Sequence, residues 1–318
     1  MKTPYIEQYL IDVQRQVTPT LLVTLAYLGN MGHDIQGLMD NNDPAVPGPG
    51  SLGNVPGSLR PFPAFGVIQT NSPWVNSAYN GLSVRLVKRI SHGLSLNQVY
   101  TWSRSIDDDS AIRDHAGDTQ FPQNPYDAIA DRALSIFQME HRSVTSFIYD
   151  LPVGKGRAFL NQGGVADAIL GGWQVGGILT LQSGFPANTS SGQDPANIGE
   201  SGYERPDYTG LPVKPANQTI NNWINYSAYA VPALYTYGSV GRNSVIGPWL
   251  GNIDLNIQKR FVVHEGQYLE IRFEGFNTTN HPNFGLPATT LSNQATFGTI
   301  TSTTTNMRQL QLGLKFVF

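Results

Sequence analysis

The chain has 318 residues, room for one large β-domain or two ordinary ones. A charged fraction of 14% and a formal net charge of −3 offer no basic surface for nucleic acid. The absence of cysteine excludes disulfides, thiolate metal sites and cysteine nucleophiles.

No uncharged apolar run reaches the roughly 18 residues that a helical membrane span needs. The nearest candidate, Val165 to Leu181, is interrupted by Asp167 and Gln174 and is thick with glycine. At the amino terminus, MKTPYIEQYLIDVQ has no basic segment followed by an apolar core, so it does not read as a secretory signal.

Strand-like alternation begins at once. Between Tyr5 and Gln16, Tyr9, Ile11 and Val13 alternate with Asp12, Gln14 and Gln16. A turn at Val17-Thr18-Pro19-Thr20 leads into a second strand, Leu21 to Leu28. The segment from Gly29 to about Asn80, rich in Gly, Pro, Asn and Ser, reads as a long connection. It contains Gly48-Pro49-Gly50-Ser51-Leu52-Gly53, which has the spacing of a dinucleotide fingerprint. That motif needs a preceding strand and a following helix, and the prolines at 47, 49 and 56 argue against both.

Leu82, Val84 and Leu86 then alternate with Ser83 and Arg85, ending in Lys88-Arg89. After a tight Ile90-Ser91-His92-Gly93 turn, Leu94 to Ser105 places Leu96, Tyr100 and Trp102 on one parity. A second long segment, Ile106 to about Glu140, opens on an acidic cluster. Within it, Asn124-Pro125-Tyr126-Asp127 is positioned to cap a short helix running to Phe137.

Arg142 to Leu151 and Trp173 to Gln182 are strands joined by a Gly-rich connection, and a very long connection follows from Ser183 to about Gly251. Next comes a clear hairpin. Leu255, Ile257 and Phe261 alternate with polar residues, and after Val263-His264-Glu265-Gly266, Leu269, Ile271 and Phe273 alternate with Glu270, Arg272 and Glu274. The chain closes on MRQLQLGLKFVF, where Leu310, Leu312, Leu314, Phe316 and Phe318 share one parity and Gln309, Gln311, Gly313 and Lys315 the other. An amphipathic strand of about ten residues is long enough to cross a bilayer when tilted. Its apolar face would meet lipid and its polar face a lumen.

Short and long connections alternate along the chain, as in outer-membrane barrels with short periplasmic turns and longer external loops. The Gly-rich connection before Trp173 is the exception, being of middling length. The strand count is about nine, an odd number, whereas single-chain bacterial barrels are usually even. With the missing signal, this leads to the expectation that the chain is the back part of something longer.

Several stretches resemble the TonB-dependent receptor barrels of the Oar-like kind, a group common in acidobacteria. They are Tyr79-Asn80-Gly81-Leu82-Ser83-Val84-Arg85-Leu86-Val87-Lys88-Arg89, Gly93-Leu94-Ser95-Leu96 and Tyr100-Thr101-Trp102-Ser103-Arg104-Ser105-Ile106-Asp107-Asp108. His141-Arg142, Tyr149-Asp150-Leu151-Pro152-Val153-Gly154-Lys155-Gly156-Arg157, Gly171-Gly172-Trp173-Gln174, Gly184-Phe185-Pro186, Phe273-Glu274-Gly275-Phe276-Asn277, Asn280-His281-Pro282-Asn283-Phe284-Gly285 and the terminal aromatic strand continue the likeness in order. The resemblance implies that residues 1–318 are the C-terminal part of a large antiparallel transmembrane β-barrel in the outer membrane of a Gram-negative bacterium. The family's signal peptide, carboxypeptidase-regulatory-like domain and plug would lie before Met1. The function implied is uptake of a large or scarce ligand. The partners implied are outer-membrane lipid, the barrel assembly machinery, an unidentified ligand, and the TonB complex through the plug region. A passive porin or structural surface protein, and a secreted soluble β-sandwich such as a carbohydrate-binding module, are the alternatives.

No catalytic signature is present, and no cofactor is implied. There is no GxSxG or HExxH, and Gly154-Lys155-Gly156-Arg157 lacks the spacing of a phosphate-binding loop. The 6 histidines are scattered without ligand spacing. Asp107, Asp108 and Asp109, with Asp114 and Asp118, form the one acidic cluster and a candidate calcium site, although the spacing is not that of an EF-hand. The alternative is an ordinary solvated loop. Arg85, Glu270, Arg272 and Glu274 are expected to face the lumen as a charge ladder. Leu310, Leu312, Leu314, Phe316 and Phe318 are expected to face lipid and to form the terminal assembly signal. Tyr100, Trp102 and Phe318 are expected near the membrane interfaces.

Overall fold

A computed structural model describes residues 2–49, 59–110, 121–199 and 203–318. Nine long strands form one antiparallel meander in which each pairs with its neighbours in sequence. They are β1 (Tyr5–Thr18), β2 (Leu21–Asp40), β3 (Gln69–Ser91), β4 (Leu94–Asp107) and β5 (His141–Asp150). β6 (Trp173–Gln182), β7 (Leu250–His264), β8 (Gln267–Phe276) and β9 (Gln309–Val317) complete it. A two-residue strand, Ala133–Leu134, adds to β4, and two further two-stranded ribbons lie in the connections. No second large sheet faces the meander among the described residues, so the soluble sandwich has no counterpart here.

Alternation of apolar and polar residues makes each strand two-faced, and the register aligns those faces across the sheet. Tyr149, Val175, Ile257, Phe273 and Leu312 lie directly opposite one another across β5 to β9. One residue along, the matching row is Asp150, Gln174, Gln258, Arg272 and Gly313. The apolar face is uncovered: Ile257, Phe273 and Leu312 are 43%, 49% and 68% exposed. The outer edges of β1 and β9 have no partner strand among the described residues, so the sheet is open.

Because the strands alternate in direction, the connections fall alternately at two ends. At one end are tight turns. His92 and Gly93, with φ of 51° and 80°, form a two-residue turn whose positive φ values match the twist of the flanking strands. At the other end lie connections 41–68, 108–140, 183–249 and 277–308. Connection 151–172 is the long exception at the tight-turn end, and it carries the helix α1 (Val165–Leu170). Among the described residues no helix is long and apolar enough to cross a membrane.

Two expectations change. The strands β2 and β3 run to 20 and 23 residues, so both ends of the stretch read as a connection from Gly29 to Asn80, as far as Asp40 and from Gln69 onward, are strand. Spanning takes about 9–11 residues, so this ribbon projects well beyond the bilayer. There both faces meet water or loops, and apolar alternation fades. The helix expected from Asn124 ends early. A 3₁₀ helix covers Pro125–Asp131, with the Asn124 side chain accepting from the Tyr126 N–H at 3.0 Å, and strand follows at Ala133–Leu134. Residues 50–53 of the glycine motif lie outside the described residues.

Candidate functional site

The sheet is one residue layer thick, so its buried side chains gather elsewhere. Ala187, Ile224, Ala228, Tyr229, Val240, Val245, Leu291 and Phe297 form the hydrophobic core, and all belong to connections 183–249 and 277–308. The Phe297 ring meets Tyr226 and Tyr229 edge-on at 5.5 and 5.6 Å. Burial pushes the Tyr229 phenol up to about 12, so it sits in this core as a neutral ring.

Buried ion pairs bind the other connections to this core. Arg205 Nη2 donates to Asp131 Oδ1 at 2.7 Å, with both side chains at most 4% exposed. Arg242 bonds the Asp107 carboxylate and donates from Nε to the Asp131 carbonyl at 2.9 Å. Within connection 108–140, the half-exposed Arg132 pairs with Asp108 at 2.8 Å. In connection 41–68, Asn42 Nδ2 donates to the carbonyls of Phe62, Phe65 and Gly66, and the Asn42 Oδ1 accepts from the Phe62 N–H. Arg60 and Asn197 then tie that connection to 183–249. The long connections thus form one interlocked cap.

This geometry gives two carboxylates of the calcium candidate protein partners of their own. The Asp107 carboxylate is taken by Arg242 and that of Asp108 by Arg132 and the Asn76 N–H. An arginine at each carboxylate supplies the charge a cation would have brought. Among the described residues no cluster of three potential ligands is placed to hold a metal. Asp114 and Asp118 lie outside the described residues.

Within the cap, Asp43 is buried beside Asp40. Desolvation, and then the Asp40 charge, push its carboxyl up to about 7, against a smaller opposing pull from Arg60.

On the polar face, Arg85, Glu270, Arg272 and Glu274 share one side of the sheet, but they are not all neighbours. The last three form a ladder on β8. Glu270 accepts from Arg260 Nε at 2.7 Å, and Arg272 lies 3.3 Å from Glu270 and 3.5 Å from Glu274. Arg85 stands on β3, with β4 to β7 between it and β8, and donates to Asn97 Oδ1 at 3.1 Å. The β8 ladder continues sideways instead, since Gln258 bonds Gln174 and Gln174 donates to Asp150 at 2.7 Å. Arg260, Gln258 and Gln174 were not among the sequence candidates. Their polar parity within amphipathic strands was the signal that could have found them.

A groove of about 420 Å³ runs along this face beside the ladder, with Ser146, Asp254, Asn256 and Glu274 in its walls. Gly176 helps form its floor, where a Cβ would come within 2.3 Å of Asn256 Oδ1. Carboxylates, amides and hydroxyls on a fixed wall can hold water or a polar solute through hydrogen bonds.

The apolar face carries Leu310, Leu312, Leu314 and Phe316 on β9, with Phe318 just beyond the strand and its ring 6.2 Å from that of Phe316. Towards the cap, a second groove of about 560 Å³ is lined by Tyr27, Leu82, Trp102 and Arg104. Asn80 accepts from the hydroxyls of both Tyr9 and Tyr27, and Tyr100 bonds His141. A band of aromatic side chains at this level matches the girdle of an outer-membrane barrel.

The chain matches the family model described as outer membrane beta barrel domain over residues 1–311. No curated protein matches it. Among solved structures it is similar to the outer membrane transporter YddB from Escherichia coli, at 10% identity and a TM-score of 0.46. It is also similar to P. aeruginosa FpvA bound to a heterologous pyoverdine, at 9% and 0.44, and to FpvAI in complex with pyocin S2, at 10% and 0.46. These matches cover 99%, 98% and 99% of this chain but only 32%, 27% and 28% of the others. The match over residues 1–311 agrees with an antiparallel meander that has one apolar and one polar face: the chain belongs to the outer membrane beta barrel domain family and is a protein of the outer membrane.

Proposed function

We propose that this chain supplies part of the wall and the external cap of a transporter that takes up a ligand through the outer membrane, of the TonB-dependent, Oar-like kind. The observation that carries this reading is the division of labour between its two ends and two faces. The four long connections at one end meet in one interlocked cap, while the polar face beneath them bears a charge ladder and a groove with a glycine floor. In this reading the polar face lines the lumen, with Glu270, Arg272, Glu274 and Arg85 along its wall, and the cap selects the ligand. Coupling to TonB passes through a plug in the lumen, not through the sheet. Barrel assembly machinery reads the terminal strand ending in Phe318. No residue here is assigned catalysis, and the uptake involves no cofactor.

Passive diffusion through an unplugged barrel is the second reading, favoured by the open polar groove. Planar bilayers in potassium chloride separate the two. A plugged receptor inserts with no steady conductance, whereas a passive pore conducts continuously. Steady conductance that Arg272→Ala alters in ion selectivity would overturn the receptor reading in favour of the pore.

A further inference from the structure

Connection 151–172 breaks the pattern of tight turns at its end of the sheet, and it is well ordered by bonds of its own. Phe159 N–H donates to the Pro152 carbonyl at 2.9 Å, Gly154 N–H to the Phe159 carbonyl at 2.8 Å, and Lys155 N–H to Asp167 Oδ1 at 2.7 Å. Yet Phe159, Val165, Ile169 and Leu170 are 63%, 76%, 60% and 52% exposed. A turn in water has no reason to fix four large apolar side chains outward.

The position of α1 gives the reason. Lys259 Nζ donates to the carbonyls of Ala168 and Ile169 at 2.6 and 3.1 Å, and Trp173 Nε1 donates to that of Ile169 at 3.0 Å. These are the terminal carbonyls of the helix, where a cation is favoured. By register Lys259 lies opposite Trp173 and Ile271, on the apolar face of the sheet. The helix is therefore clamped to the outside of the wall. Its level is marked by basic residues on the same face, Arg15 opposite Val23 and Lys88 opposite Leu21, each close to a tight turn. Long cations on an apolar face extend to the headgroups, so this is where the apolar band ends.

We infer that connection 151–172 is an interfacial foot. It lays Phe159, Val165, Ile169 and Leu170 into the headgroup–acyl boundary of the membrane leaflet at the tight-turn end, and its partner is the glycerophospholipid surface. The foot continues the apolar face already in contact with lipid. The inference rests on the outer-membrane barrel and is independent of the uptake reading.

The test uses the absence of cysteine from the chain. Nitroxide labels are placed one at a time at Ile169→Cys, at Leu312→Cys as a lipid reference and at Glu265→Cys as a turn reference, with the protein in isolated outer membranes. Collision with oxygen and with a water-soluble nickel chelate is then measured. The expected result is a label at 169 that favours oxygen over the chelate, at a shallower depth than 312, while 265 favours the chelate. A label at 169 as accessible to the chelate as 265 overturns the inference, since the foot would then stand in water. Protection from both reagents also overturns it, because a protein surface would then cover the foot. If 312 itself favours the chelate, the barrel placement has failed and the foot fails with it.

Discussion

The wall and the cap solve the same burial problem in opposite ways. On the wall, Leu310, Leu312 and Leu314 are 74%, 68% and 70% exposed, and stability comes from a continuous backbone ladder with lipid as the apolar partner. In the cap, Ile224, Leu291 and Phe297 are 1%, 2% and 6% exposed, and buried arginine–aspartate pairs lock separate connections together. A side chain's exposure in this protein therefore reports which solvent its region was built for, not how much it matters.

The sharpest way to break the comparison is to strip one partner from a buried pair. Arg205→Ala leaves Asp131 charged and uncompensated, and the cap is expected to lose about 3–5 kcal/mol. Hydrogen exchange should then rise throughout 121–140 and 203–245, while the urea midpoint of the wall in lipid vesicles stays put. If the wall midpoint falls as well, the two regions unfold together.

Truncating a ring should show the same divide. Phe297→Ala in the cap is expected to cost about 3–5 kcal/mol. Phe273→Ala, on the lipid-facing side of the wall and 49% exposed, should cost far less, as both variants' unfolding in vesicles would report. Within the wall, the two faces separate by charge. Leu312→Arg is expected to cost about 2–4 kcal/mol at mid-membrane, whereas its neighbour Gln311→Arg should stay within about 0.5 kcal/mol. Equal costs would mean the face assignment is wrong.

The last way to separate the two regions is a pH dependence in the cap. Burial, then the neighbouring Asp40 and more weakly Asp194, push the folded Asp43 carboxyl up to about 7 from 3.8 for the free group, against a pull from Arg60. Between those values the folded cap holds a proton that the unfolded loop releases, so cap stability falls as pH rises through the window and levels off above it. Hydrogen exchange around 41–49 and 59–68, corrected for its intrinsic pH dependence, should quicken from pH 5 to pH 8. Asp43→Asn should flatten that response.

Much of the wall was legible in the sequence. Alternation between Tyr9 and Gln16, between Leu255 and Glu274, and between Leu310 and Phe318 is local, because each residue pair on a strand divides between lipid and water. The strand extensions Gly29 to Asp40 and Gln69 to Asn80 were not legible, because beyond the bilayer neither face selects for apolar residues. The cap was the least legible. Asp107 and Asp108 read as free oxygen ligands until the fold brings up Arg242, far along the chain, and Arg132.

By itself, then, the sequence indicated about nine strands, the two faces of most of them and the alternation of short and long connections. Those follow from a period of two and from turn chemistry, which act between near neighbours. Only the tertiary structure decided that the connections form one cap, which carboxylates are neutralised, and that α1 is clamped outside the wall by Lys259. Such contacts join residues far apart in the chain, and no local pattern of residues encodes which distant partner will arrive.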